Sequence, residues 1–159
     1  MQCLHHSISD KRQTSYQKPI LQKGSQGQNV KELQHILALW KIYKGSLNGV
    51  FDRSVENSVK AFQHQMFLEE NGIVDSRTWN ALYAGAPIQM PNLVLGDRHQ
   101  TVEIIQTLLQ SIGYFHGEID GKFGAKTHSA VCAFQRQHYL KQDGIVSDRI
   151  WYLFSKIPH

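Results

Sequence analysis

The sequence predicts an all-α protein made of two tandem three-helix units of about 60 residues each. The first observation is an internal repeat: "GSLNGVFDRSVENSVKAFQHQ" at residues 45–65 returns as "GEIDGKFGAKTHSAVCAFQRQ" at residues 117–137. The two copies align without a gap at an offset of 72 residues, and about a third of the paired positions are identical. Within each copy, apolar residues recur at helical spacing. The chain is therefore a tandem duplication, and we expect its activity to be present twice.

The first helix of each copy is predicted from apolar residues three and four positions apart, as at Val30, Leu33 and Leu37. Its start is marked by Ser25 with Gln28 in the first copy. Asp97 with Gln100 marks the same repeat position in the second copy, and both pairs stand at or near capping-box spacing. These signals predict that both helices begin at equivalent residues.

A structured loop follows the first helix, because Asn48-Gly49 and Asp120-Gly121 are strong turn dipeptides. The second helix can be capped by Asp52, whereas Gly124 offers no side chain at that position. The third helix is short, with Asp75 or Ser147 as its predicted cap.

Two residue types that recur in both copies are expected to be structural. The glutamines at 63 and 135 are expected to hydrogen-bond loop backbone. The tryptophans at 79 and 151 are expected in the core because they lie on apolar helix faces.

These elements divide the chain into four parts. Residues 1–20 are polar and aperiodic and are predicted to be a flexible N-terminal segment. "GAPIQMPN" carries two prolines and a glycine and indicates a linker. The predicted domains are a first module at 21–85, a linker at 86–92 and a second module at 93–159.

The amino-acid composition and its distribution exclude several classes of protein. The chain has 41% hydrophobic and 19% charged residues, as a globular protein does, and a formal net charge of +4. Its basic residues are scattered, so no basic stripe for nucleic acid is visible. No apolar run reaches the roughly 20 residues of a membrane span. The two cysteines, Cys3 and Cys132, make no disulfide framework, and neither has a nearby histidine of evident purpose.

The repeated pattern resembles the peptidoglycan-binding domain found beside bacterial cell-wall hydrolases. The second copy follows that family's pattern of G, V-x-x-[LI]-Q, G-Y, D-G-x-F-G-x-x-T, A-V-x-x-F-Q, L-x-x-D-G and W almost throughout. The first copy departs from it at Lys41-Ile42 and reads "NGVFD" in place of "DGKFG". The resemblance implies a small helical module that attaches proteins to peptidoglycan and performs no chemistry itself.

Candidate binding residues follow from the chemistry of that ligand. Peptidoglycan offers sugar faces, N-acetyl groups and stem-peptide carboxylates, which suit aromatic rings, polar side chains and arginine. Structural alternatives stay open: core packing for both loop phenylalanines, turn formation for Asn48 and Asp120, and surface ion pairs for the arginines. The predicted ligand-binding residues are Tyr43, Asn48, Phe51, Arg77, Tyr114, Phe115, Asp120, Phe123 and Arg149.

No catalytic or metal-binding pattern is present. The nine histidines form no HExxH motif, CxxC and GxSxG are absent, and no carboxylate pair of the glycosidase kind is evident. The sequence therefore predicts a non-catalytic protein without a cofactor or a metal site.

The expected partner is peptidoglycan, through its glycan or its stem peptide, with a cell-wall hydrolase as a further partner. One alternative is that the chain is the targeting part of a hydrolase or endolysin. Another is that the fold binds a protein. The expected location is the cell wall, the periplasm or the exterior, although the N-terminus shows no apolar signal-peptide region.

Overall fold

The computed structural model describes residues 17–159 and places six helices in them. The first module contains three: α1 (Gln28–Leu39), α2 (Arg53–Gln65) and α3 (Ser76–Ala84). The second contains α4 (Gln100–Ser111), α5 (Ala125–Gln137) and α6 (Asp148–Phe154). Each helix of the second set begins 72 residues after its counterpart. The predicted all-α architecture of two three-helix units is confirmed, whereas most of the predicted flexible segment at 1–20 lies outside the described residues.

The helix caps follow the sequence in some places and not in others. Asp52 and Asp75 cap α2 and α3 as predicted, accepting hydrogen bonds from Val55 N and Thr78 N. Gly124 stands at the start of α5 with no side-chain cap. Ser147 is the N-cap residue of α6 at the predicted position, but its side chain makes no cap hydrogen bond.

The predicted capping boxes of α1 and α4 are also wrong. The N-cap residues are Gly27 and His99. Ser25 and Asp97 instead accept hydrogen bonds from backbone N–H groups of the preceding turn, at 3.1 and 2.8 Å. Both helices nevertheless begin at equivalent residues, because the chain entering each helix makes the same turn.

Each module has its own hydrophobic core. The first gathers around Trp79, Phe51 and Phe62, and the second around Trp151, Phe123 and Phe134. The two tryptophan indoles donate to Pro19 O and Pro91 O at 2.9 and 2.8 Å, again at equivalent positions. Between residues 17 and 159 there is no β-strand, but isolated antiparallel bridges join the segment before each first helix to the loops of its own module.

The modules contact each other through the end of α2 and the residues around and after α6. Phe67, just beyond α2, packs against the second core. In the linker, Ile88 packs against the first core and Met90 against the second. No helix in the described part of the chain is long and apolar enough to cross a bilayer.

Candidate functional site

The loop between the first two helices of each module is held in place by a buried glutamine. In the first module, Gln34 Oε1 accepts the Gly49 N–H at 2.9 Å and Gln34 Nε2 donates to Asn48 Oδ1 and Val50 O. Gln106 does the same for residues 120–122 of the second module. A buried side-chain amide that satisfies three or four loop groups fixes the loop relative to its helix.

A second pair of glutamines fixes the loop after the second helix, as predicted. Gln63 Oε1 accepts from Gly72 N, and Gln135 Oε1 accepts from Gly144 N, both at 2.9 Å. All four glutamines are at most 3% exposed. We call them the loop glutamines: Gln34, Gln63, Gln106 and Gln135.

Residues just after the first helix and the first turns of α2 or α5 line a surface groove in each module. The first groove has a volume of about 440 Å³ and the second about 420 Å³. Five positions line both grooves at the repeat offset of 72 residues, from Ile42 and Tyr114 to Ser58 and Ala130. The first groove is lined by Ile42, Arg53, Ser54, Asn57, Ser58 and Ala61. The second is lined by Tyr114, His116, Gly117, Ala125, Lys126, Ser129 and Ala130.

In each module the loop after the first helix places a glycine beside a buried ring, and Gly117 of the second module also lines its groove. A Cβ on Gly117 would lie 2.6 Å from Phe115 Cζ. A Cβ on Gly45 would collide with the ring of Tyr43 in the first module. Only glycine fits at either position, because the ring two residues earlier occupies the space that a Cβ would need.

A second depression adjoins the groove of the second module. The two share Gly117, Ala125 and Lys126. Asp120 also lines this depression, together with Glu118 and Lys122, so its rim carries both signs of charge. The combined surface can contact a ligand longer than a single sugar ring.

Four of the predicted binding residues lie in the cores. Phe51 and Phe123 are 1% exposed, and Tyr43 and Phe115 are 4% and 3% exposed. The Tyr43 hydroxyl donates to Ser46 O at 2.8 Å, and burial raises its pKa, with the charge of Asp52 as a smaller cause. In this conformation their ring faces are turned toward the protein interior.

The predicted polar residues are at the surface. Asn48 and Asp120 are exposed and form turns, each accepting from the N–H two residues ahead at 3.0 Å. The backbone N–H of Lys122 and then the amide of Gln106 hold the pKa of Asp120 below its usual range. Arg77 and Arg149 are exposed near the start of α3 and α6, and neither takes part in a salt bridge of the described residues.

Only some of the predicted ligand-binding residues lie close together. Tyr114, Phe115 and Asp120 line the connected depressions of the second module. Tyr43, Asn48 and Phe51 are not among the residues that line the first groove. The sequence reasoning missed the exposed polar residues at the start of the second helices. Their signal was that both repeats place polar side chains there: Arg53, Ser54 and Asn57 in one, Lys126 and Ser129 in the other.

Within residues 17–159, no three His, Cys, Asp or Glu side chains are grouped so that they could hold a metal ion. One histidine does lie near a cysteine: Cys132 Sγ is 3.8 Å from His128 Nδ1, one turn away on α5.

The comparison with known families settles what the repeat is. The family model described as "Putative peptidoglycan binding domain" matches residues 26–82 and again residues 98–153, together more than half of the chain. The chain belongs to the peptidoglycan-binding domain family. Each match contains one complete set of three helices, except for the ends of α3 and α6.

The relatives of this chain include longer proteins named as enzymes. N-acetylmuramoyl-L-alanine amidase CwlM of Mycobacterium tuberculosis (strain ATCC 25618 / H37Rv) is 31% identical over 132 residues, covering 69% of this chain and 30% of the amidase. The amidase CwlL of Bacillus licheniformis is 31% identical over 156 residues, covering 79% of this chain and 42% of the amidase. The SleB N-terminal domain, a solved structure, is 28% identical with a TM-score of 0.42, covering 42% of this chain and 92% of that domain. This chain spans less than half the length of either amidase.

Proposed function

We propose that the protein binds peptidoglycan through both modules and catalyses no reaction of its own. The observation that carries this proposal is the double match to a peptidoglycan-binding family, one match on each module. The recurrence of one groove at equivalent residues supports a shared binding mode.

The groove residues suit the chemistry of the polymer. The half-buried ring of Tyr114 can pack against the apolar face of a sugar. Arg53 and Lys126 place an exposed cation in each groove, which suits a stem-peptide carboxylate. Asn57 and Ser129 can exchange hydrogen bonds with N-acetyl or hydroxyl groups.

The two grooves are not chemically alike. The first offers Arg53 and Asn57 without an aromatic ring, and the second offers Tyr114, His116 and Lys126. We expect the second module to bind the glycan more tightly, because a ring against a sugar face buries more apolar area than polar contacts do.

A second candidate is that the chain targets a cell-wall hydrolase to its substrate. The amidase relatives favour this candidate. Each alignment includes most of this chain but less than half of the amidase. Both candidates require peptidoglycan binding, and they differ in whether a hydrolase is associated with the chain.

Co-sedimentation of the purified chain with insoluble peptidoglycan sacculi tests the proposal. It is best done at about 150 mM salt, where nonspecific charge attraction beyond about 8 Å is screened. The groove variants are Arg53→Ala with Asn57→Ala, and Lys126→Ala with Ser129→Ala. Lys31→Ala is the matched control, because Lys31 is an exposed cation on α1 that lies outside both grooves.

We expect saturable pelleting of the unaltered chain and of Lys31→Ala, with weaker pelleting of both groove variants. Unchanged pelleting of the groove variants would move the site elsewhere, with Arg77 and Arg149 as the next substitutions. If the unaltered chain stays in the supernatant, the proposal of peptidoglycan binding is wrong, and the fold binds a protein partner instead.

A further inference from the structure

Phe67 is a residue of the first module that packs in the second. It follows α2 in the left-handed conformation, with φ 57°. Its ring meets Trp151 edge-on at a centroid distance of 5.2 Å and stacks on His159 at 5.2 Å with an interplanar angle of 4°. The ring therefore joins the modules at a point where both offer aromatic surface.

Polar contacts surround that ring. Gln65 Nε2 donates to Ser155 O at 2.8 Å, and the His64 Nε2 lies 2.8 Å from His159 O. On another side, the Lys156 ammonium lies 4.2 Å from the Trp40 ring centroid, within cation–π range. The contacts differ in kind and direction, so together they restrict rotation of one module against the other.

The repeat supplies an internal comparison for Phe67. Tyr139 stands at the equivalent position of the second module and has the same backbone conformation, with φ 56°. Its side chain is 97% exposed. A module of this kind therefore needs no buried ring at that position for its own core. The partial burial of Phe67 against the second core therefore serves the junction between the modules.

We propose that Phe67 fixes the spacing and orientation of the two grooves, so that the tandem acts as one rigid bivalent receptor. This inference rests on the proposed peptidoglycan binding. Two linked sites gain avidity of about 10² to 10⁴ only when the geometry lets both bind at once. A fixed spacing selects polymers whose repeat matches it, and a flexible pair lacks that selectivity.

Distance measurement by pulsed electron paramagnetic resonance tests the rigidity of the junction between the modules without any ligand. Spin labels are attached at Lys31→Cys and Thr107→Cys, two exposed positions on α1 and α4, in a chain that carries Cys3→Ser and Cys132→Ser. The unaltered junction should give one narrow distance peak. Phe67→Ala should broaden it, and Tyr139→Ala is the matched control that should leave it narrow.

Phe67→Leu keeps an apolar side chain and should restore most of the narrow peak, which separates positioning from misfolding. Circular dichroism of each variant checks that the helices remain. An equally narrow peak for Phe67→Ala would overturn the positioning role.

Sedimentation with sacculi then tests the consequence for binding. Phe67→Ala should lose about tenfold or more of the apparent affinity, with Tyr139→Ala unchanged. A broadened distance peak with unchanged sedimentation would overturn the bivalent receptor while leaving peptidoglycan binding intact. Failure of the unaltered chain to pellet would overturn both proposals, because the inferred receptor has no ligand without peptidoglycan binding.

Discussion

The side chain of Gln106 clamps Asp120 at two points: Gln106 Oε1 accepts the Asp120 N–H and Gln106 Nε2 donates to Asp120 Oδ1, both at 3.1 Å. Gln106 also accepts from Gly121 N at 3.0 Å. One buried side-chain amide therefore makes several hydrogen bonds to the loop that borders the second groove, and Gln34 does the same in the first module.

Gln106→Leu should destabilise the protein by about 1–3 kcal/mol, because it leaves the buried Gly121 N–H without its acceptor. Chemical denaturation measures the loss. Gln110→Leu, an exposed position on the same helix, is the control and should change the free energy of unfolding little. Equal destabilisation by both substitutions would mean that the clamp contributes nothing specific.

Gly124→Asp should stabilise α5 by about 0.5 kcal/mol, because a carboxylate there can accept a backbone N–H and meets the positive end of the helix. The backbone is already suited to it: φ and ψ are −90° and −173° at Gly124, and −93° and −173° at Asp52, which caps α2. No atom lies within 4 Å of the Cβ that would be added, outside the neighbouring residues.

The reverse substitution, Asp52→Gly, should cost a similar amount of stability. Gly124→Ala adds the Cβ without an acceptor and should give no gain. Thermal melting of the three variants checks the prediction, and a gain for Gly124→Ala equal to that for Gly124→Asp would contradict the capping explanation.

The second module should be more sensitive to acid than the first. Its turns use Asp120 and Asp143, whose pKa values are lowered chiefly by backbone N–H groups and then by the amides of Gln106 and Gln135. Stability from a lowered carboxyl pKa is present above the ordinary value of 3.8 and is lost as the pH falls through the lowered one. The first module has Asn48 and Asn71 at these positions, and amides do not titrate.

The double substitution Asp120→Asn with Asp143→Asn should therefore reduce the loss of unfolding free energy at low pH. Asn48 already shows that an amide oxygen can accept the same hydrogen bonds. Unfolding followed from pH about 5 to about 2 measures it. If the unfolding free energy of the variant falls with pH as steeply as that of the unaltered chain, other carboxyl groups govern acid unfolding.

The contribution of His64 to stability should fall as the pH rises. The hydrogen bond to Glu70 raises the pKa of His64, burial opposes it, and the carbonyl of His159 raises it further. Stability from a raised histidine pKa is complete below the ordinary value of 6.5 and is lost as the pH rises through the raised one.

His64→Gln should remove part of the difference in melting temperature between pH about 5.5 and about 8. His35→Gln, on the exposed face of α1, is the control and should retain that difference. Retention of the full difference by His64→Gln would assign it to another group.

Much of the fold could be predicted because its signals are local. Apolar spacing located the helices, Asp52 and Asp75 marked two helix starts, and the repeat placed the modules in register. The capping boxes failed because Ser25 and Asp97 bond to the turn before the helix, which spacing alone does not distinguish.

The binding surface was harder to predict. An aromatic residue in a loop can face a ligand or the core, and the direction depends on the path of the chain. Here the backbone after α1 and α4 turns the rings of Tyr43 and Phe115 inward over Gly45 and Gly117. The grooves are consequently lined by polar residues of the following helix, together with Ile42 or Tyr114.

The sequence by itself determined the duplication, the helical class and the family pattern, because each is written in residue identity at short or constant spacing. Only the tertiary structure decided which surfaces line the grooves and how the modules meet. Phe67 and Tyr139 are equivalent in sequence and in backbone conformation, yet one is packed and the other is exposed. That difference depends on Trp151 and His159, which lie far along the chain and which no local pattern at Phe67 could reveal.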